Sequence, residues 1–189
     1  MKKNLIIIRH GRTDWNVQRK IQGRNDSPLN QLGLKDASWC RDQLCNDNLD
    51  EIITSPLIRT MQTARIINES HHAAMSSDER IIERDYGELS GLNVEENREL
   101  IEKQYGRGFE KNEAIEKRIN EFITQRIFPS TSQNILIVSH NIAIRFILKY
   151  FLLSNENRYI HHREINRLIL DEQRLINCEK IWMDKDEVL

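Results

Sequence analysis

Two stretches of the chain are apolar at every position, Leu5–Ile8 and Ile135–Val138, and both are rich in β-branched residues. Runs of this length without alternation predict strands buried on both faces, as in a parallel sheet. Each run stops at a polar pair that contains a histidine, Arg9-His10 after the first and Ser139-His140 after the second. Ligands of open parallel sheets sit beyond the carboxyl ends of the strands. Two histidines placed there, 130 residues apart in sequence, point to one shared site.

Between these runs the period becomes helical. Leu34, Ala37, Cys40 and Leu44 recur at steps of three and four after the turn-like Asn25-Asp26-Ser27-Pro28 and Gly33. Leu49–Thr54 predicts a second strand, followed by a helix with Met61, Ala64 and Ile67 on one face. Pro56 suits the start of that helix, and Ser55 is its candidate cap. Residues 93–128 are charge-dense and broken at Gly106–Gly108, after which Ile115, Ile119, Phe122, Ile123 and Ile127 form a stripe that reads as core packing. Asn141–Leu153 predicts an apolar helix, and Asn166–Leu170 with Arg174–Met183 a closing hairpin. Strands alternating with helices make an α/β sandwich with a mainly parallel sheet.

Composition narrows the class. A chain of 189 residues fits a single domain, 1–189, with ample material for a core. Lys and Arg number 28 against 29 Asp and Glu, so the basic excess expected of a nucleic-acid or polybasic membrane partner is missing. The longest apolar runs fall far short of the roughly 20 residues of a membrane span. Met1-Lys2-Lys3 begins like a signal peptide, but the apolar run ends at Arg9, short of an h-region of about 7–15 residues. The three cysteines, Cys40, Cys45 and Cys178, lack the spacing of a zinc site or disulfide framework, which fits a reducing cytoplasm.

The candidate chemistry starts at Arg9-His10-Gly11. A guanidinium presents a planar fork of donors suited to phosphate oxygens, and an unprotonated imidazole beside it can attack phosphorus. Neighbouring cations favour that neutral form. Gly11 would let the backbone pass close to a ligand. Alone the tripeptide carries little weight, since chance explains it equally well. It is followed by Arg12-Thr13-Asp14-Trp15-Asn16, by Ile21-Gln22-Gly23-Arg24-Asn25-Asp26-Ser27-Pro28-Leu29-Asn30, and by Ser55-Pro56-Leu57-Ile58-Arg59-Thr60. Glu83-Arg84-Asp85-Tyr86-Gly87 and Val138-Ser139-His140-Asn141 come next.

In that order these blocks closely resemble the histidine phosphatase superfamily, the phosphoglycerate-mutase-like proteins, and most nearly its short phosphatase branch of α-ribazole phosphatase-like members. The resemblance runs from Leu5 to about Arg145. It implies a three-layer α/β sandwich, with residues 89–128 as a short helical cap. It further implies that His10 is the nucleophile that becomes a phosphohistidine and that Arg9 and Arg59 hold the phosphate oxygens. His140 would stabilise charge on the phosphate, and Glu83 would protonate the leaving oxygen. Asn16, Gln22 and Gly23 match positions that line the substrate pocket in relatives, although capping and turn formation would also account for them.

Phosphoryl transfer passes through a charge-rich transition state, so fixed positive charge and positioning do most of the work. With Arg9, Arg59 and His140 supplying that charge, neither a metal nor another cofactor is expected. Three departures stand out. Arg12 replaces a common Glu and would add positive charge near the pocket. Asn141 replaces the glycine that usually follows the second histidine, and Ser90 replaces an acidic residue. His71-His72 and His161-His162 read as exposed or loop histidines, because adjacent residues point apart on regular elements.

The activity expected is that of a metal-independent phosphoric monoester hydrolase acting on a small phosphorylated substrate. A phosphoglycerate mutase is the main alternative, and only 57 positions separate Glu83 from His140, fewer than the enclosing segment of classical mutases would need. A catalytically silent phospho-ligand binder is the third reading, against which the intact nucleophile and acid argue. Specificity is expected in Arg12, Gln22–Asp26 and Leu89–Arg107. Apolar residues near the tail could form a homodimer face.

Overall fold

The computed structural model describes residues 2–153 and 158–182, with Trp182 described in its main chain only. A six-stranded sheet has the order β3-β2-β4-β1-β5-β6. Its strands are β1 (Lys2–Arg9), β2 (Glu51–Thr54), β3 (Ala74–Ser77), β4 (Asn134–Ser139), β5 (Glu164–Asp171) and β6 (Arg174–Trp182). The first four run parallel, while β5 pairs antiparallel with β1 and β6 with β5. Helices α1 (Asp14–Val17), α2 (Gln31–Leu44), α3 (Ile58–Asn68), α4 (Arg98–Glu102), α5 (Asn112–Phe122) and α6 (Asn141–Leu152) complete the chain order.

The fully apolar runs are central because each face of the sheet has its own helical layer. Side chains alternate along a strand, so Ile6 and Ile8 of β1, with Leu136 and Val138 of β4, join Cys40, Leu44, Ala64 and Ile67 of α2 and α3. Leu5, Ile7, Ile135 and Ile137 point the other way, onto Ile115, Ile119 and Phe122 of α5 and Ile142, Ile144 and Ile147 of α6. The result is the expected three-layer α/β sandwich.

Three local readings change, and one strand is added to those expected. Leu34 faces outward on α2 at 37% exposure, and the buried face is instead Gly33, Asp36, Ala37, Cys40 and Leu44. Ser55 does not cap α3. Asp26 Oδ1 accepts from the Ile58 amide at 2.7 Å and fills that place, while Ser55 serves a histidine described below. Strand β3 carries no alternation, because all four of its residues are exposed at the sheet edge. The cap expected over 89–128 is shorter. Residues from Ile115 through the π-helical turn Ile123–Ile127 belong to the main core, whereas Leu89, Val94, Leu100, Ile101 and Phe109 form a separate small cluster over Ile21.

The end of the predicted hairpin at Met183 lies outside the described residues. Among those described, no helix is long and apolar enough to cross a membrane. Cys40, Cys45 and Cys178 are free thiols, and burial pushes that of Cys40 up to about 12.

Candidate active site

The parallel pairing of β1 with β4 ends at the rung Arg9↔Ser139, and the His10 amide then donates to the Ser139 carbonyl at 3.0 Å. His10 and His140 are thus the next residues on two neighbouring strands. Their rings stand 5.1 Å apart with planes inclined by 60°. His140 is also the N-cap of α6, with extended backbone.

Hydrogen bonds distinguish the two rings and fix the tautomer of His10. His10 Nδ1 lies 2.7 Å from the Gly11 carbonyl oxygen. A carbonyl only accepts, so Nδ1 carries the proton and neutral His10 keeps its lone pair on Nε2. His140 meets Ser55 Oγ through Nε2 at 2.7 Å, and its Nδ1 is buried without a hydrogen-bond partner. Burial, then Arg59, His140 and Arg9, hold His10 well below the usual histidine range. Burial, then Arg59 and Arg9, do the same for His140.

Two guanidiniums flank the pair. Arg59, on the first turn of α3, is fully buried, with Nη1 donating to the Asn25 carbonyl and Nη2 to that of Gly23, each at 2.7 Å. Burial brings its pKa down to about 10, against the opposing pull of Glu83 and Asp26. Arg9 Nη1 donates to the Ile160 carbonyl at 2.8 Å, and its guanidinium lies 4.7 Å from the centre of the Tyr159 ring. In both arginines Nε is buried and unpartnered. Glu83 is buried too, with Oε1 accepting from the Arg84 amide at 2.8 Å and Oε2 from the Ile142 amide at 3.4 Å. A main-chain clamp on both oxygens orients the carboxyl, which lies close enough to Arg59 to act on its charge.

These groups border one cavity of about 390 Å³, whose lining includes Arg9, His10, Asn16, Gln22, Gly23, Arg59, Glu83 and Asn141. Asn16 divides its functions. Its Oδ1 closes the capping box of α1 with Thr13, and its amide nitrogen makes no hydrogen bond among the described residues. Gln22 Nε2 is anchored on Thr13 Oγ1 and Ser27 Oγ. Gly23 contributes its carbonyl to Arg59 and takes a φ of +52°. Asn141 needs no special backbone: it starts α6, and its Oδ1 accepts from the Ile160 amide at 2.9 Å. His140 is fully buried, with its ring against that of His10.

Two expectations are corrected. Arg12 does not line the cavity; it makes a two-pronged ion pair with Asp36, which is fully buried and also holds Arg163. Gly11 is required by packing rather than by a ligand. A Cβ there would lie 2.3 Å from the Gly33 carbonyl oxygen, and a Cβ on Gly33 would lie 2.0 Å from that of Arg12.

Sequence reasoning missed His162. It is 4% exposed, its Nδ1 lies 2.6 Å from the His10 carbonyl oxygen, and its ring centre is 5.4 Å from that of His10. It lies in a loop as expected, in the turn before β5, but is buried rather than exposed. Its place is set by the antiparallel return of β5 alongside β1. His71 and His72 do lie in a loop. Among the described residues, no three His, Cys, Asp or Glu side chains converge as a metal site requires.

Comparison with known proteins agrees with this geometry. Residues 5–175 match the model of the histidine phosphatase superfamily (branch 1). The uncharacterized phosphatase PhoE of Bacillus subtilis is 34% identical, over 76% of this chain and 75% of that protein. The probable phosphoglycerate mutase GpmB of Proteus mirabilis is 31% identical, over 78% and 74% respectively. The solved structure of Bacillus stearothermophilus YhfR superposes with a TM-score of 0.82 at 24% identity, covering 92% of this chain and 94% of that one. The chain belongs to the histidine phosphatase superfamily, in its branch 1.

Proposed function

We propose that this protein is a metal-independent phosphomonoesterase of the histidine acid phosphatase type, acting on a small phosphorylated metabolite of the cytoplasm through a phosphohistidine at His10. The observation that carries the reading is the bond from His10 Nδ1 to the Gly11 carbonyl, which leaves Nε2 as the unprotonated ring nitrogen among buried cations.

In the first displacement Nε2 attacks phosphorus, the P–O bond to the leaving group breaks, and protonated Glu83 passes its proton to the departing oxygen. In the second, the Glu83 carboxylate takes a proton from water. The resulting hydroxide attacks phosphorus, the P–N bond breaks, and phosphate leaves His10 restored. Arg9 and Arg59 act on the phosphoryl oxygens with a geometry already fixed by main-chain carbonyls, so little reorganisation accompanies charge development. Asn16, through its side-chain amide, adds a further donor, and Gln22 and Gly23 shape the leaving-group side.

Hydrolysis is favoured over retention of the phosphoryl group because the rim of the cavity opens to water: Arg19, Lys20, Glu95 and Tyr159, all on its lining, are exposed. Chain length does not separate the two readings, since the mutase-named relative aligns with similar fractions of both chains. Turnover of p-nitrophenyl phosphate with EDTA present, lost in His10→Ala, is the expected result; no turnover of any phosphoester would favour a silent binder. Release of free phosphate from 3-phosphoglycerate, rather than formation of its 2-isomer, separates phosphatase from mutase.

A further inference from the structure

Glu83 lies in a stretch, 82–85, that belongs to no helix or strand, so no continuous ladder pairs its main chain. Carbonyls shielded from water still need donors. Side chains supply them, one position after another. Arg118 Nη1, from α5, donates to the carbonyls of Arg80 and Ile82, each at 2.7 Å. Ser139 Oγ donates to that of Ile81 at 2.7 Å, and Arg24 Nε to that of Glu83 itself at 3.2 Å. The Glu110 amide completes the series on the Asp85 carbonyl at 2.8 Å.

One carboxylate holds both of these guanidiniums. Glu110 Oε1 accepts from Arg118 Nε at 2.9 Å, and its Oε2 accepts from Arg118 Nη2 at 3.1 Å. This two-pronged pair leaves Nη1 for the Arg80 and Ile82 carbonyls, and a planar fork held at two nitrogens has little freedom to turn. Arg24 Nη2 lies 3.3 Å from Oε2, which also accepts from the Asp85 amide at 3.2 Å. Burial would raise the Glu110 carboxyl, but Arg118, the Asp85 amide and Arg24 outweigh it and hold the group below the usual range. Glu110 also marks where the cap meets the core. Beside it, Phe109 forms an antiparallel bridge with Tyr86 and packs in the small cluster with Leu89 and Ile21.

We propose that Glu110 is a positioning residue for Glu83, fixing through Arg118 and Arg24 where that carboxyl sits against a leaving oxygen. This rests on the phosphatase reading, in which Glu83 passes its proton to that oxygen. The backbone of His10 is held separately, by β4. Loss of Glu110 should therefore strike proton donation and spare the attack on phosphorus.

The test uses Glu110→Gln, which keeps the size and one acceptor but removes the charge that both guanidiniums share. Benzyl, phenyl and p-nitrophenyl phosphate are esters of similar size whose leaving oxygens need a proton to a decreasing degree. They are compared in kcat/KM, which covers the reaction up to departure of the leaving group. Benzyl phosphate should lose about tenfold or more, part of the 10²–10⁴-fold that general acid catalysis contributes, while the loss on p-nitrophenyl phosphate stays within about twofold. Arg118→Lys, which keeps a donor without the fork, should fall between the native protein and Glu110→Gln. Arg24→Met removes a partner that is 39% exposed and should give a smaller loss in the same order. It decides the matter should Glu110→Gln fold poorly. Equal losses on all three esters, or none, overturn the assignment. Amide hydrogen exchange supplies a readout free of turnover. The Arg84 amide, which donates to the Glu83 carboxylate, should exchange faster in the variants while the amides of β1 and β4 stay unchanged. If the native protein cleaves no ester, the phosphatase reading falls. Faster exchange confined to residues 80–85 would still uphold the clamp on Glu83, and unchanged exchange would overturn it.

Discussion

His162 donates through Nδ1 to the main-chain carbonyl of His10 at 2.6 Å, so a side chain from the start of the antiparallel return holds the backbone that carries the proposed nucleophile. His162 touches His10, the residue proposed to attack phosphorus, and so would act as a positioning residue. Small misplacement of an attacking atom costs up to about a hundredfold in rate. His162→Ala is therefore expected to lower kcat about tenfold to a hundredfold with little change in KM. His162→Asn, whose amide can donate to the same carbonyl, should recover part of the loss. Steady-state kinetics alongside rapid trapping of the phosphoenzyme would check this; a fall in KM-dependent terms alone would contradict it.

Glu83→Gln removes the transferable proton, and it also places an amide NH₂ against the Arg84 or Ile142 N–H that the carboxylate now accepts from. General acid catalysis contributes about 10²–10⁴-fold. Alkyl phosphates should lose rate in that range, while p-nitrophenyl phosphate, whose leaving group needs no proton, should lose much less in its first step. The second step still requires the carboxylate, so acid-labile label on His10 should accumulate. A first step slowed equally on both substrates, measured as the burst of leaving group before phosphoenzyme accumulates, would argue against the acid role.

Gly33→Ala forces a Cβ to within 2.0 Å of the Arg12 carbonyl oxygen, and main chain on both sides cannot yield cheaply. Overpacking of this kind costs about 1–3 kcal/mol. Urea unfolding should show the loss in full. Activity per folded molecule should fall too, because the same strand-to-helix segment carries Gly11.

His10, His140 and His162 are all held neutral by burial before any other cause. Their folded pKa values lie below that of the unfolded chain, so as pH falls through about 6.5 the unfolded state gains protons that the folded state does not. Stability should be complete above that pH and decline below it by about 1.4 kcal/mol per pH unit for each histidine. Urea midpoints at pH 7.5 and 5.5 would measure the decline, and His162→Asn should remove about a third of the histidine-linked slope.

Sequence legibility followed physical cause. Leu5–Ile8 and Ile135–Val138 were readable because two-sided burial demands unbroken apolar runs, and the histidines at their ends inherited that clarity. Arg59, Glu83 and Asn16 depended on the family resemblance, since nothing in their own spacing brings them to one cavity. Strand β3 was invisible because an exposed edge imposes no pattern. His162 and Glu110 were passed over for different reasons: one hid in a surface-like histidine pair, the other in a charge-dense stretch where a single carboxylate looks solvated. Arg12 misled because charge near a motif says nothing about which carboxylate waits in the fold.

The β1–β4 register has a consequence for how such a protein can change. The spacing between His10 and His140 is inherited from the hydrogen-bonded distance of two central strands, the part of the molecule least able to drift. The surroundings of the leaving group come instead from the segment after α1, from residues 86–111 and from the second turn of α6. The spacing of the two histidines and the shape of the outer wall are therefore written in separate parts of the chain. New substrates can be acquired by exchanging the outer wall while the spacing of the two histidines stays untouched.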